Sequence, residues 1–136
     1  MNPVATQAAG HVTELVALNR LPGVVAGFTT RTGGVSVPPF DSFNLGLSSG
    51  DRREDVLENR ARLLAAVGFP RDNLIIAGQV HGNHVEVVDA AGLVPETDAL
   101  VTNRRGLLLG MVSADCAIVL LADSSGSIVG AARSPA

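Results

Sequence analysis

The sequence predicts an α+β domain with much strand, and three observations carry that prediction. Short apolar runs of strand length recur through the second half of the chain. One stretch, Gly50 to Val67, has helical periodicity with start and stop signals. The 136 residues, 46% of them hydrophobic, are enough for a single domain over 1–136 with a core of its own. No apolar run approaches the roughly 20 residues of a membrane-spanning helix, and no basic flank precedes an apolar block as a signal peptide would require. A single cysteine excludes an internal disulfide and fits a reducing, cytoplasmic setting. The basic residues are all Arg and the net charge is -3, so there is no basic tract for nucleic acid. Trp and Tyr are absent, which removes the usual platforms for stacked bases.

In chain order, a polar, Ala-rich lead precedes a weakly helical stretch, Val12 to Leu18. Gly23 to Thr30 (GVVAGFTT) reads as a first strand, rich in Val and closed by threonines. It enters a turn at Arg31, Thr32, Gly33 and Gly34, where paired glycines permit positive φ and close backbone approach. Val35 to Leu47 is an irregular loop with Asn44. In the helix that follows, Asp51 is expected as N-cap with Glu54 completing a capping box. Val56, Leu57, Leu63, Leu64 and Val67 are expected on its buried face, with Gly68 and Pro70 ending it. Arg60 lies near that stripe, one turn after Val56, so its guanidinium could reach inward, and a snorkelling surface side chain is the preferred reading from spacing alone. Strands are predicted at Asn73–Ala77, His84–Val88, Ala99–Thr102, Leu107–Ser113, Ala117–Leu121 and Ser127–Ala132, with Gly92–Asp98 as a loop.

The chemistry on offer is narrow. Cys116, with Ser113, Ala114 and Asp115, interrupts two apolar runs that read as buried strands, and polar groups placed there are costly unless used. His81 sits among Gly and Asn between two strands, and loops at strand ends are where sites are built. His84 opens a strand and His11 lies in the polar lead. Two chemistries would use the pair His81 and Cys116. Either the imidazole activates a thiolate nucleophile, as in cysteine hydrolases, or both bind zinc together with a further ligand. Asp115 is available as base or support.

The motifs FTTRTGG (Phe28 to Gly34), SFNLGL (Ser42 to Leu47), GD with VLENR (Gly50 to Arg60), QVHG (Gln79 to Gly82), ETDALVT (Glu96 to Thr102), ADC with LL behind it (Ala114 to Leu121) and VGAA (Val129 to Ala132), in that order, resemble the laccase-domain family. That family was formerly labelled multicopper polyphenol oxidase and is now described as zinc-dependent purine nucleoside phosphorylases with adenosine deaminase activity. The resemblance implies a laccase-domain, cysteine-hydrolase-like fold, a layered mixed β-sheet with flanking helices. It also implies zinc on His81 and Cys116, with copper in the older label, and adenosine, inosine, guanosine or methylthioadenosine as substrate with phosphate or water. Catalytic roles then fall to His81, Cys116 and Asp115, and substrate contacts to Arg31, Gly33, Gly34, Asn44 and Arg60. Similar proteins continue VGAA into HAGWRG, whose His is the third metal ligand, whereas this chain reads Arg133, Ser134, Pro135, Ala136. Guanidinium offers no lone pair, so the expectation is a C-terminally truncated member, incomplete at the C-terminus, with impaired activity and an edge strand open to self-association. An inactive remnant is the alternative. A polyphenol oxidase is the other, although three His are too few for a multicopper site.

Overall fold

The computed structural model describes residues 12–14, 16–113 and 116–134. Its elements are β1 (Val12–Glu14), α1 (Val16–Asn19), β2 (Gly27–Thr29), α2 (Arg53–Val67), β3 (Leu74–Gly78), β4 (Val85–Val87), β5 (Gly92–Pro95), β6 (Ala99–Thr102), β7 (Leu108–Gly110), β8 (Ala117–Ala122) and β9 (Val129–Ser134). The α+β class is as expected. Three local expectations change: Val12 to Leu18 is a short strand plus one helical turn, the first strand shrinks to Gly27–Thr29, and the loop at Gly92–Asp98 contains β5. No helix among the described residues is long and apolar enough to cross a membrane. The described residues divide into two compact units, one from those up to Asn19 with Val25–Arg71, the other from Arg20–Val24 with those from Asp72 onward.

In the first unit β1 and β2 pair antiparallel, Val12 opposite Thr29 and Glu14 opposite Gly27. Helix α2 ends as its sequence demands, with Gly68 left-handed at φ 82° and its N–H turned back to Ala65. That conformation is cheap only without a Cβ. The start of α2 corrects the sequence reading. The N-cap is Arg52 with no side-chain cap bond. Asp51 instead spends one oxygen on the Arg52 N–H (2.7 Å) and the other on the Ser36 hydroxyl (2.6 Å) and the Asn44 amide (3.1 Å). Leu57 is exposed rather than buried. Its expected place on the inner face goes to Asn59, which is fully buried with Val56 and Leu64.

The second unit holds two sheets. β5, β3 and β7 form a parallel sheet with β3 central, and β4, β6, β9 and β8 form a mixed one. Ile75 and Ala77 of β3, Leu100 of β6 and Val88 make one buried cluster, with Val94, Leu107, Leu109 and Met111 packed against it. Strand alternation places Leu100 and Ala131 of the mixed sheet on that inner face, opposite one another. The outer face carries the rows Val85, Ala99, Ala132, Val119 and Val87, Val101, Gly130, Leu121. β8 is therefore not a buried strand as its composition indicated, since Val119 and Leu121 are exposed. Its uniform apolarity is that of a sheet with both faces apolar.

Candidate active site

The parallel register of β3 and β7, with Leu74 beside Leu108 and Ile76 beside Gly110, ends both strands at the same sheet edge. The segment carrying His81 leaves β3 after Gly78, and the segment carrying Cys116 leaves β7 after Gly110. Crevices at the carboxyl ends of parallel strands are where such sheets bind ligands. A direct bond joins the two segments: the Val112 N–H donates to Gln79 Oε1 at 2.8 Å. The Ser113 hydroxyl donates to the Cys116 carbonyl at 2.7 Å, which closes the second segment on itself. The Gln79 amide nitrogen is buried and has no hydrogen-bond partner among the described residues. A Cβ at Gly110 would stand 2.6 Å from Ile76 Cδ1, so any larger residue there would displace the end of the Ile76 side chain. The segments that carry His81 and Cys116 thus leave neighbouring parallel strands at the same end of the sheet. His81 is exposed and Cys116 is a half-buried free thiol.

His81 has φ 61°, a left-handed conformation that a residue with a Cβ adopts only when its surroundings dictate it. The surroundings are Asp98. Its Oδ1 accepts the N–H of His81 at 3.1 Å and of Val80 at 3.2 Å, and its Oδ2 accepts the N–H of Gly82 at 2.7 Å. Arg133 Nη2 donates to Oδ1 at 2.9 Å, in an ion pair whose side chains are 9% and 3% exposed. Burial alone would push this carboxyl up, but the backbone N–H groups and the Arg133 guanidinium together hold it below the usual range. Sequence reasoning missed Asp98, and it read Arg133 only as a lost ligand. The available signal was an Asp immediately before a strand in ETDALVT, but its partners lie 16 to 35 residues away.

The remaining expected residues fall as follows. Asp115 and His11 lie outside the described residues. His84 pairs with Glu86 at 2.7 Å on the surface. The expected substrate contacts all belong to the first unit. Arg31 is exposed and reaches the Asp41 carboxylate at 3.2 Å and its carbonyl at 3.1 Å. With Asn44 it lines a shallow depression of about 430 Å³, along with Pro39, Phe40, Asp41 and Phe43. The Gly33 carbonyl accepts from Arg62 at 3.1 Å. Gly34 packs so tightly that a Cβ would stand 2.6 Å from both Asn59 Oδ1 and Phe43 Cα. Asn44 donates to the Ser49 hydroxyl at 2.7 Å. Arg60 is half-buried, its Nε bonded to the Leu45 carbonyl at 2.9 Å, rather than snorkelling.

Imidazole and thiolate are the donor types zinc prefers, but a closed site needs four donors and an open one three from protein. Among the described residues no group of three or more His, Cys, Asp and Glu could hold a metal ion. Arg133 is committed to Asp98 and has no lone pair. The described residues therefore do not complete a zinc site by themselves.

An exposed His and a half-buried Cys thus lie on segments that leave neighbouring parallel strands of an α+β chain. Residues 25–134 match the family model described as multi-copper polyphenol oxidoreductase laccase, and the chain belongs to that family. It is 50% identical over 105 residues to a purine nucleoside phosphorylase of Mycobacterium tuberculosis, covering 76% of this chain and 42% of that protein. It is 40% identical over 121 residues to purine nucleoside phosphorylase YlmD of Geobacillus stearothermophilus, covering 82% and 44%. The crystal structure of that YlmD superposes with a TM-score of 0.78, at 39% identity over 85% of this chain and 46% of its own. The crystal structure of the Bacillus licheniformis hypothetical protein YfiH gives 0.86, at 32% identity over 98% and 52%. The chain thus spans less than half the length of these curated relatives.

Proposed function

We propose that this chain carries part of a cytoplasmic purine nucleoside phosphorylase, with the strand-end segments of His81 and Cys116 as its contribution to the reacting site. The observation that carries the reading is the Gln79–Val112 bond, which ties those two segments together at the ends of neighbouring parallel strands. The similarity to proteins named purine nucleoside phosphorylase supports it. In phosphorolysis a phosphate oxygen bonds to the ribose C1′ as the bond to the purine nitrogen breaks, and the electron pair leaves with the base. The base leaves most easily when a proton reaches it. An exposed imidazole on an anchored loop is suited to proton transfer or to metal ligation. Adenosine, inosine, guanosine and methylthioadenosine are the proposed substrates, with deamination of adenosine by water as a second reaction. Zinc is the proposed cofactor in a form of the site where a further donor, Asp115 or one outside this chain, joins His81 and Cys116.

The test is release of hypoxanthine from inosine by the full chain with and without phosphate, alongside zinc content. Phosphate-dependent release that disappears in Cys116→Ala and His81→Ala is expected. A cooperatively folded chain that takes up no zinc and releases no base would instead establish an inactive remnant. Phenol oxidation is not expected, given three His in the sequence.

A further inference from the structure

We infer that Asp98 is a positioning residue for His81: its carboxylate holds the backbone of the loop that presents the imidazole, and Arg133 supplies the counter-charge. The inference rests on reading His81 as a working residue of the site. Residues 97 and 98 close the loop at its base, because the Thr97 N–H donates to the Gly78 carbonyl at 3.2 Å and the Asp98 N–H to the His84 carbonyl at 3.1 Å. The Asp98 side chain then fills the middle of the same loop with bonds from three consecutive N–H groups. Gly82 makes room for this, since a Cβ there would lie 3.3 Å from Asp98 Oδ2.

A carboxylate offers about four acceptor sites, and Val80, His81, Gly82 and Arg133 occupy them. Asp98 is therefore committed to the loop and acts on the site through His81. The backbone of His81 is tied while its side chain is exposed, so the ring projects from a fixed base. Arg133 belongs to the same device. Its own N–H donates to the Asp98 carbonyl at 3.0 Å, so β9 fixes both the charge and the backbone of the anchor. A buried carboxylate without such a partner would be strongly destabilised.

The experiment compares the full chain with Asp98→Asn, Asp98→Glu and His81→Ala, using zinc alone as probe in competition with a chromophoric chelator. Amide exchange and His81 ring chemical shifts are followed by NMR on the same samples. Asp98→Asn keeps the shape but turns an N–H₂ toward backbone donors. It is expected to speed exchange of the Val80, His81 and Gly82 amides by roughly tenfold or more, to move the His81 ring signals, and to weaken zinc about 10–100-fold. If Asp98→Asn does not fold, Asp98→Glu, which keeps the charge and adds one methylene, is read in its place with the same expectation. Wild-type zinc affinity in His81→Ala would sink the functional reading of His81, and where the native chain takes up no zinc the amide exchange and ring signals alone decide the inference. Zinc lost in His81→Ala but unchanged in the Asp98 variant would sink this inference alone. Ring signals and amide exchange identical to the native chain would overturn it with or without metal.

Discussion

Replacing Asn59 by Ala tests how the first unit is held together. Asn59 is fully buried on α2. Its Oδ1 accepts the Val35 N–H at 2.9 Å, and its Nδ2 donates to the Asn44 carbonyl at 2.8 Å, the Ser36 hydroxyl at 2.9 Å and the Ser42 carbonyl at 3.3 Å. After truncation the Ser42 carbonyl still receives the Ser36 N–H, and the Ser36 hydroxyl still donates to Asp51. The Val35 N–H and the Asn44 carbonyl lose the partner described here. Each orphaned buried group costs about 1–3 kcal/mol. Both residues are half-buried, so water recovers part of the loss and the sum comes to about 2–4 kcal/mol. That is a large share of the ~5–15 kcal/mol that stabilises an ordinary domain. With no Trp or Tyr in the chain, urea unfolding is best followed by far-ultraviolet circular dichroism. Leu57→Ala, two residues away on the helix and exposed, serves as control and is expected within about 0.5 kcal/mol of the native chain. An Asn59→Ala protein no less stable than that control would refute the view that this amide organises the loop.

Two further outcomes follow from other parts of the structure. Asp123 closes the β8–β9 hairpin by accepting the N–H groups of Ser127 and Ile128 and the hydroxyls of Ser125 and Ser127. The Ile128 N–H first, with the hydroxyls, holds its pKa at about 2 against an ordinary 3.8. Because the folded value is depressed, the stabilisation is complete above the ordinary value and disappears as pH falls toward 2. The stability gap between the native chain and Asp123→Asn, measured by thermal unfolding, should be open at about pH 5 and close by about pH 2; a constant gap would contradict the assignment. The outer apolar rows, with Val87 74% and Leu121 59% exposed, are expected to drive self-association. Sedimentation velocity should show concentration-dependent association that Leu121→Glu reduces, whereas a native chain monomeric at every concentration would dismiss it.

What the sequence determined by itself was local or repetitive. The helix expected over Gly50–Val67 and found at Arg53–Val67, its Gly68 terminus, the strand expected at Asn73–Ala77 and found at Leu74–Gly78, and the strand Ala99–Thr102 were legible, because periodicity, turn residues and breakers act over a few residues. Family membership was legible too, since the motifs preserve their order. Tertiary structure decided the rest. A capping box was written at Asp51 and Glu54, but the Ser36 and Asn44 side chains claimed Asp51 first. Asn59 carries no signal of its own in the helix pattern, and its partners in the preceding loop lie 15 to 24 residues away. The apolar run of β8 read as buried, yet only the register with β9 and β6 shows which of its residues face the core. Arg133 read as a missing ligand, and the fold made it the counter-ion of the carboxylate under His81. In each case the deciding partner is distant along the chain, and a hydrogen bond or ion pair between distant residues leaves no periodic mark on either of them.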